Sequence, residues 1–206
     1  LPGAALQDAV NAAESAGRRA VTCEGDVALS DDWRRVVALA LQTFGRIDIL
    51  VHNAGLMPAE RLLTADGLEL TVATHVVGPF LLTELLRPRL ARGARVIWVS
   101  SGGMYTKKLE VAELEALADP TGPAYDGVAA YAYTKRAQVV LAELWAERLR
   151  GAGVDVHAMH PGWADTVTVR ESLPRFHRLT RPLLRDHADV GAPRELVSFK
   201  FHNLVG

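Results

Sequence analysis

Phe44-Gly45-Arg46-Ile47-Asp48-Ile49-Leu50-Val51-His52-Asn53-Ala54-Gly55 is the stretch that decides the fold. Ile47 to His52 is short and apolar and reads as a strand. Gly45 ends the helical pattern before it. Asn53-Ala54-Gly55 after it is a turn of small residues, where backbone can approach a ligand closely and Asn can bond its own neighbouring backbone. Alone, three such residues are only a tight turn. The flanking sequence decides whether they are more.

Toward the amino terminus, Ala4 to Ala16 is Ala-rich, with Leu6, Ala9, Val10 and Ala13 on one helical face, and Gly17 ends it. Ala20 to Cys23 reads as a short strand running into Glu24-Gly25-Asp26-Val27. Ser30 caps a helix with Asp31 and Asp32 in its first turn and Trp33, Val36, Val37 and Ala40 at helical spacing. Toward the carboxyl terminus, Leu68 to Leu86 reads as a long helix closed by Pro88. Ala94 to Ser100 reads as a strand buried on both sides, Tyr131 to Arg150 as a helix ended by Gly151 and Gly153, and Val154 to Met159 as another strand. Strands joined by helices of this length form right-handed crossovers, which predicts a doubly wound parallel α/β sheet in one domain over residues 1–206. Residues 186–206 form a tail that does not fit the pattern. Ligands of such sheets bind beyond the carboxyl ends of the strands, so the places to look are Asp26, Asn53 to Gly55, Ser100 with Ser101, and Pro161 with Gly162.

The composition narrows the function. Lys and Arg number 23 against 24 Asp and Glu, a net charge of −1, which gives no electrostatic reason to expect nucleic acid or an anionic membrane. No apolar run approaches the ~20 residues that span a bilayer. The one cysteine, Cys23, permits no internal disulfide and fits a reducing, cytoplasmic setting. No metal is called for.

The strand-end positions carry chemistry. Ser100-Ser101-Gly102-Gly103 places two hydroxyls after a strand. Tyr131-Ala132-Tyr133-Thr134-Lys135 puts Lys135 one helical turn from Tyr131, where an ammonium favours the phenolate and makes the tyrosine a general acid/base of lowered pKa. Tyr133 points away around the helix and is the structural tyrosine. His160-Pro161-Gly162-Trp163-Ala164-Asp165-Thr166 is a sharp turn after the last strand. Each motif has a bland reading as a turn, a satisfied hydroxyl or a surface lysine. Their conjunction in this order does not arise by chance.

On these motifs the chain resembles the short-chain dehydrogenase/reductase family over roughly residues 6–185. The spacing of thirty positions from Ser101 to Tyr131, Tyr125-Asp126-Gly127 and Gly78-Pro79-Phe80-Leu81-Leu82-Thr83 resemble its retinol-dehydrogenase-like branch. Ser100 to Met104 with His160 to Thr166 is most similar to the subgroup of dehydrogenase/reductase member 12. The resemblance implies NAD or NADP as cofactor and a hydride exchanged with an apolar carbonyl or alcohol substrate. It assigns Tyr131 as general acid/base, Lys135 as the residue that lowers its pKa and bonds the nicotinamide ribose, and Ser101 as the hydroxyl orienting the substrate oxygen. Asp26 and Val27 match adenine contacts, Asn53, Ala54 and Gly55 the turn lining the cofactor cleft, and Pro161, Gly162 and Thr166 the segment beside the nicotinamide. Relatives dimerise through the helices read here at 68–86 and 131–150, so a homodimer is carried over as an expectation.

Three departures stand beside this. The family's first strand and glycine-rich phosphate loop have no counterpart, so the expected Rossmann-type sheet is incomplete. The helix Asn that links the lysine to a proton-relay water is matched by His75. The match fades after about Gly191. The alternative is an inactive fragment or interaction remnant of such a protein; a sugar-nucleotide epimerase, which shares Tyr-x-x-x-Lys, is disfavoured by Asn53-Ala54-Gly55.

Overall fold

The computed structural model describes residues 3–25, 30–122, 124–160, 164–165, 178, 185–186 and 197–200. Two compact units divide the chain, Leu1–Ile47 and Asp48–Gly206.

In the first unit, α1 (Gly3–Ser15) and α2 (Ser30–Phe44) form where the apolar spacing predicts them. Gly17 terminates α1 at φ 70°, its N–H bonded to the Glu14 carbonyl and that of Arg18 to the Ala13 carbonyl. This paired closure needs a left-handed residue that only glycine adopts cheaply. Arg19 ties the helices together, donating to the Thr43 carbonyl at 3.2 Å with its guanidinium over the Phe44 ring. The expected strand at Ala20 to Cys23 does not form. A strand exists only through a paired neighbour, and these residues join no sheet among the described residues.

The second unit carries β1 (Ile47–His52), a continuous helical stretch from Leu70 to Leu86, β2 (Leu90–Val99), a short helix Val111–Ala118, the long helix Gly127–Leu149, and β3 (Asp155–His160). Numbered along the chain, the helical stretch comprises α3 (Leu70–Val72), a π-helical turn Ala73–Val77 and α4 (Gly78–Leu86); the two later helices are α5 and α6. The sheet runs β1-β2-β3-β6, with β6 at Val197–Lys200. β2 and β3 are parallel, in register from Arg95 opposite Asp155 to Val99 opposite Met159. β6 is antiparallel to β3, from His157 opposite Lys200 to His160 opposite Val197. Part of the unaccounted tail is therefore an edge strand running against β2 and β3. A separate parallel pair joins β4 (Ala164–Asp165) and β5 (Arg185–Asp186).

Ala94, Val96 and Trp98 alternate along β2 and are fully buried, meeting Val156 and Ala158 of β3 and Val139, Ala142, Trp145 and Leu149 of α6. The Phe80 ring of α4 lies 5.4 Å from Trp145, so α4 and α6 cover the same face. Ile97 and Val99, on the other face, are only partly buried, so the expectation of a strand buried on both sides holds for one side. α6 starts four residues before the predicted Tyr131. Asp126 caps it, its carboxylate accepting from the Val128 and Ala129 N–H groups at 2.9 and 3.1 Å, which moves Tyr131 into the second turn.

The π turn has a covalent cause. Pro79 lacks an N–H, so the carbonyl of His75 four residues earlier has no ordinary helical donor and would meet the proline ring. The helix widens instead, with the Gly78 N–H reaching the Ala73 carbonyl, and the side chain of Gln138 on α6 donates to the His75 carbonyl at 3.0 Å. Glu69 fixes the other end. It is fully buried and caps α3 through the Thr71 and Val72 N–H groups at 2.9 and 2.8 Å, while the Tyr125 hydroxyl donates to it at 3.0 Å.

Candidate active site

The carboxyl ends of β1 and β2 and the second turn of α6 bring the chemistry together. Asn53, Ala54 and Gly55 leave the end of β1 exposed. A Cβ on Gly55 would stand 3.1 Å from His75 Nε2 and 3.5 Å from Lys135 Nζ, so the turn, the helix histidine and the lysine border one space. Lys135 is 3% exposed, and its ammonium donates to the Val99 carbonyl, at the end of β2, at 2.8 Å. Burial brings its pKa down to about 8. The same ammonium lies 5.6 Å from the centre of the Tyr131 ring, and the His75 ring meets that ring edge-on at 5.5 Å.

Ser101 completes the group. Its backbone is extended, and its hydroxyl accepts from the Gly103 N–H at 3.3 Å, opening the short 3₁₀ turn Gly102–Thr106. A Cβ on Gly103 would touch both the Ser101 hydroxyl and the Tyr131 ring at 3.8 Å. Burial holds the Tyr131 phenol above its ordinary value, and the hydrogen bond with Ser101 partly opposes that. The lowered phenol expected from Lys135 is thus corrected: burial sets the direction of the shift, and the ammonium is held by the Val99 carbonyl. The neighbouring Ser100 hydroxyl is structural, donating to the Lys135 carbonyl at 2.7 Å and so fastening β2 to α6.

Ser101, Tyr131, Lys135 and His75 are therefore neighbours, with Asn53, Ala54 and Gly55 beside them. Tyr133 lies outside this group, under the Lys107 ammonium at 5.1 Å. Asp26, Val27, Pro161, Gly162 and Thr166 lie outside the described residues. The sequence alone does not single out Thr134, Gln138 and Leu56, which all touch His75. Gly78-Pro79 is the signal that would have drawn attention to the turn holding it. Among the described residues no group of side chains is arranged to hold a metal ion, and no helix is long and apolar enough to cross a membrane.

Residues 2–111 match the family model described as enoyl-(acyl carrier protein) reductase. The chain belongs to the short-chain dehydrogenase/reductase family. Human dehydrogenase/reductase SDR family member 12 is 42% identical to this short-chain dehydrogenase/reductase over 145 residues, which is 69% of the chain and 44% of that protein. Bovine retinol dehydrogenase 12 is 37% identical over 145 residues, 68% of the chain and 44% of that protein. The chain thus spans under half the length of these curated relatives. Among solved structures, a short chain dehydrogenase from Burkholderia cenocepacia in complex with NADP superposes with a TM-score of 0.63 at 27% identity, covering 79% of this chain and 60% of that one. A blue fluorescent protein from a metagenomic library, in complex with NADPH, superposes at 0.61 with 29% identity, covering 79% and 60%. The fold is the α/β Rossmann type of the solved short-chain dehydrogenase it superposes on.

Proposed function

We propose that this chain carries the proton-transfer site of an NAD(P)-dependent oxidoreductase acting on an apolar carbonyl or alcohol. One observation supports it above the others: a buried ammonium, a phenol and a strand-end hydroxyl meet beside Gly55, which puts no side chain in the way. That turn and cation suit a nicotinamide ribose. Asn53, Ala54 and Gly55 offer close backbone approach, and Lys135 offers the donor; further dinucleotide contacts at Asp26, Val27, Pro161, Gly162 and Thr166 rest on the family resemblance alone. A bound nicotinamide supplies or accepts the hydride.

The chain's residues handle the proton. Ser101 orients the substrate oxygen. Tyr131 gives its phenolic proton to that oxygen as it gains negative charge in the reductive direction, and takes it back in the oxidative one. Lys135 stabilises the phenolate left behind, an effect that grows as the cleft fills and water leaves. The same reading includes a cytoplasmic setting, in keeping with the lone Cys23, and a homodimer through the exposed Leu81, Leu85 and Leu144 of α4 and α6.

The test is Tyr131→Phe, assayed by nucleotide absorbance with NADPH and NADH against retinaldehyde and medium-chain aldehydes. Loss of the general acid lowers kcat by roughly 10²–10⁴-fold while nucleotide affinity stays within about threefold. A kcat left unchanged by Tyr131→Phe overturns the proposal.

A further inference from the structure

His75 is fully buried in the π turn, and its two ring nitrogens meet different elements. Nδ1 is 2.8 Å from the Thr134 hydroxyl on α6. That hydroxyl donates its only proton to the helix carbonyls of Ala130 and Tyr131, at 2.9 and 3.1 Å. With that proton turned to the carbonyls the hydroxyl is free to accept from His75, which suits a ring proton on Nδ1. Nε2 accepts the Leu56 N–H at 3.2 Å, which requires a bare nitrogen. The bare Nε2 assigns the neutral tautomer protonated at Nδ1, and the Thr134 hydroxyl is placed to receive that proton.

We infer that His75 is a positioning residue, a neutral clamp of fixed tautomer that holds the turn Asn53 to Leu56 against α6 beside Lys135, and not a proton carrier. A proton added at Nε2 would point a donor at the Leu56 N–H, break that bond, and stand as a second cation next to the lysine. The titratable groups facing the ring are Lys135 and Tyr131 from α6, while the turn after β1 offers backbone amides. Burial, and then the Lys135 charge, hold the His75 pKa well below its ordinary value, in the same sense. Its backbone carbonyl is occupied as well, by the Gln138 amide. Proton relay through the ring would need one of its two hydrogen bonds to open.

The inference deepens the proposed function, but its test reads a nitrogen and an amide and needs no turnover, so the two fail separately. In the ¹⁵N-histidine-labelled chain, long-range proton–nitrogen spectra should show His75 protonated at Nδ1 and bare at Nε2 throughout about pH 5–8. In His75→Ala the Leu56 amide should exchange about tenfold faster, the equivalent of one net hydrogen bond. His75→Gln, whose Oε1 can accept at the Nε2 position, should restore its protection. His75→Asn, which matches only the Nδ1 end, should not. Titration with NADPH should follow the same order of variants. A His75 that takes up a proton within that range, a tautomer protonated at Nε2, or a Leu56 amide indifferent to His75→Ala would each overturn the clamp. The tautomer is read in the parent chain, so it decides the matter even if a variant fails to fold.

Discussion

Replacing Glu69 by Ala removes a carboxylate that is fully buried and accepts three hydrogen bonds. Two of the donors, the Thr71 and Val72 N–H groups, begin α3 and would be left buried with no acceptor. Each such orphan costs about 1–3 kcal/mol. The third donor, Tyr125, keeps a partner in the Thr71 hydroxyl at 2.9 Å, so its loss adds little. The expected destabilisation is about 3–5 kcal/mol, a large share of the ~5–15 kcal/mol that holds a domain together. Urea unfolding followed by tryptophan emission suits the test, because Trp98 and Trp145 are buried in the same unit. With a slope of about 2 kcal/mol per molar, the midpoint should fall by roughly 2 M. Glu69→Gln keeps one acceptor and should fall about half as far. A Glu69→Ala midpoint within ~0.5 M of the parent would refute the reasoning, since the N–H groups would then have found another acceptor at almost no cost.

His52 Nε2 is hydrogen-bonded with the Thr83 hydroxyl at 2.7 Å, the ring packs on Trp98, and burial pushes its pKa down to about 4. Between about pH 6.5 and 4 the folded chain binds fewer protons there than the unfolded one, so stability should decline as pH falls through that window, by up to about 3 kcal/mol. His52→Gln should flatten that limb in urea titrations at stepped pH, and an equally steep limb would exclude His52 as its source. Gly127, the first residue of α6, has no room for a side chain: a Cβ there would overlap the Pro58 carbonyl. Gly127→Ala should cost about 1–3 kcal/mol and lower Tm by several degrees in a calorimetric scan, whereas an unchanged Tm would mean that the Pro58 loop yields freely.

The strand and turn at Ile47 to Gly55 were legible because a short apolar run bounded by two punctuating segments has few other readings. The alternation of strands and helices gave the layered α/β arrangement in the same way. Tyr131 and Lys135 were legible as a pair because helical spacing fixes which residues share a face. Their electrostatics were not, since the charge relation is local whereas the desolvation that lifts the Tyr131 phenol is set by everything packed around it. α6 starts earlier than the tyrosine motif suggests because Asp126 caps it, a signal that lies outside the motif. Ala20 to Cys23 has strand-like residues and no ladder, since a strand depends on a partner as well as on its own sequence. The two-ended binding of His75 joins positions 56, 75 and 134, a contact pattern that one-dimensional spacing does not encode.

The widened turn also ties two distant positions into one unit of inheritance. Pro79 deprives the His75 carbonyl of its usual donor, and Gln138, fifty-nine residues on, supplies a substitute. A proline there without the glutamine leaves a buried carbonyl orphaned; a glutamine there without the proline has nothing to do at that carbonyl. Substitutions at the two positions are therefore not independent, and each is neutral or harmful according to what the other already is. A lineage that exchanges Pro79 for a residue with an N–H would let the helix tighten and His75 turn with it, drawing the ring away from Leu56 and Thr134. The identity of residue 79, which touches no reacting atom, thus bears on what residue 75 can be.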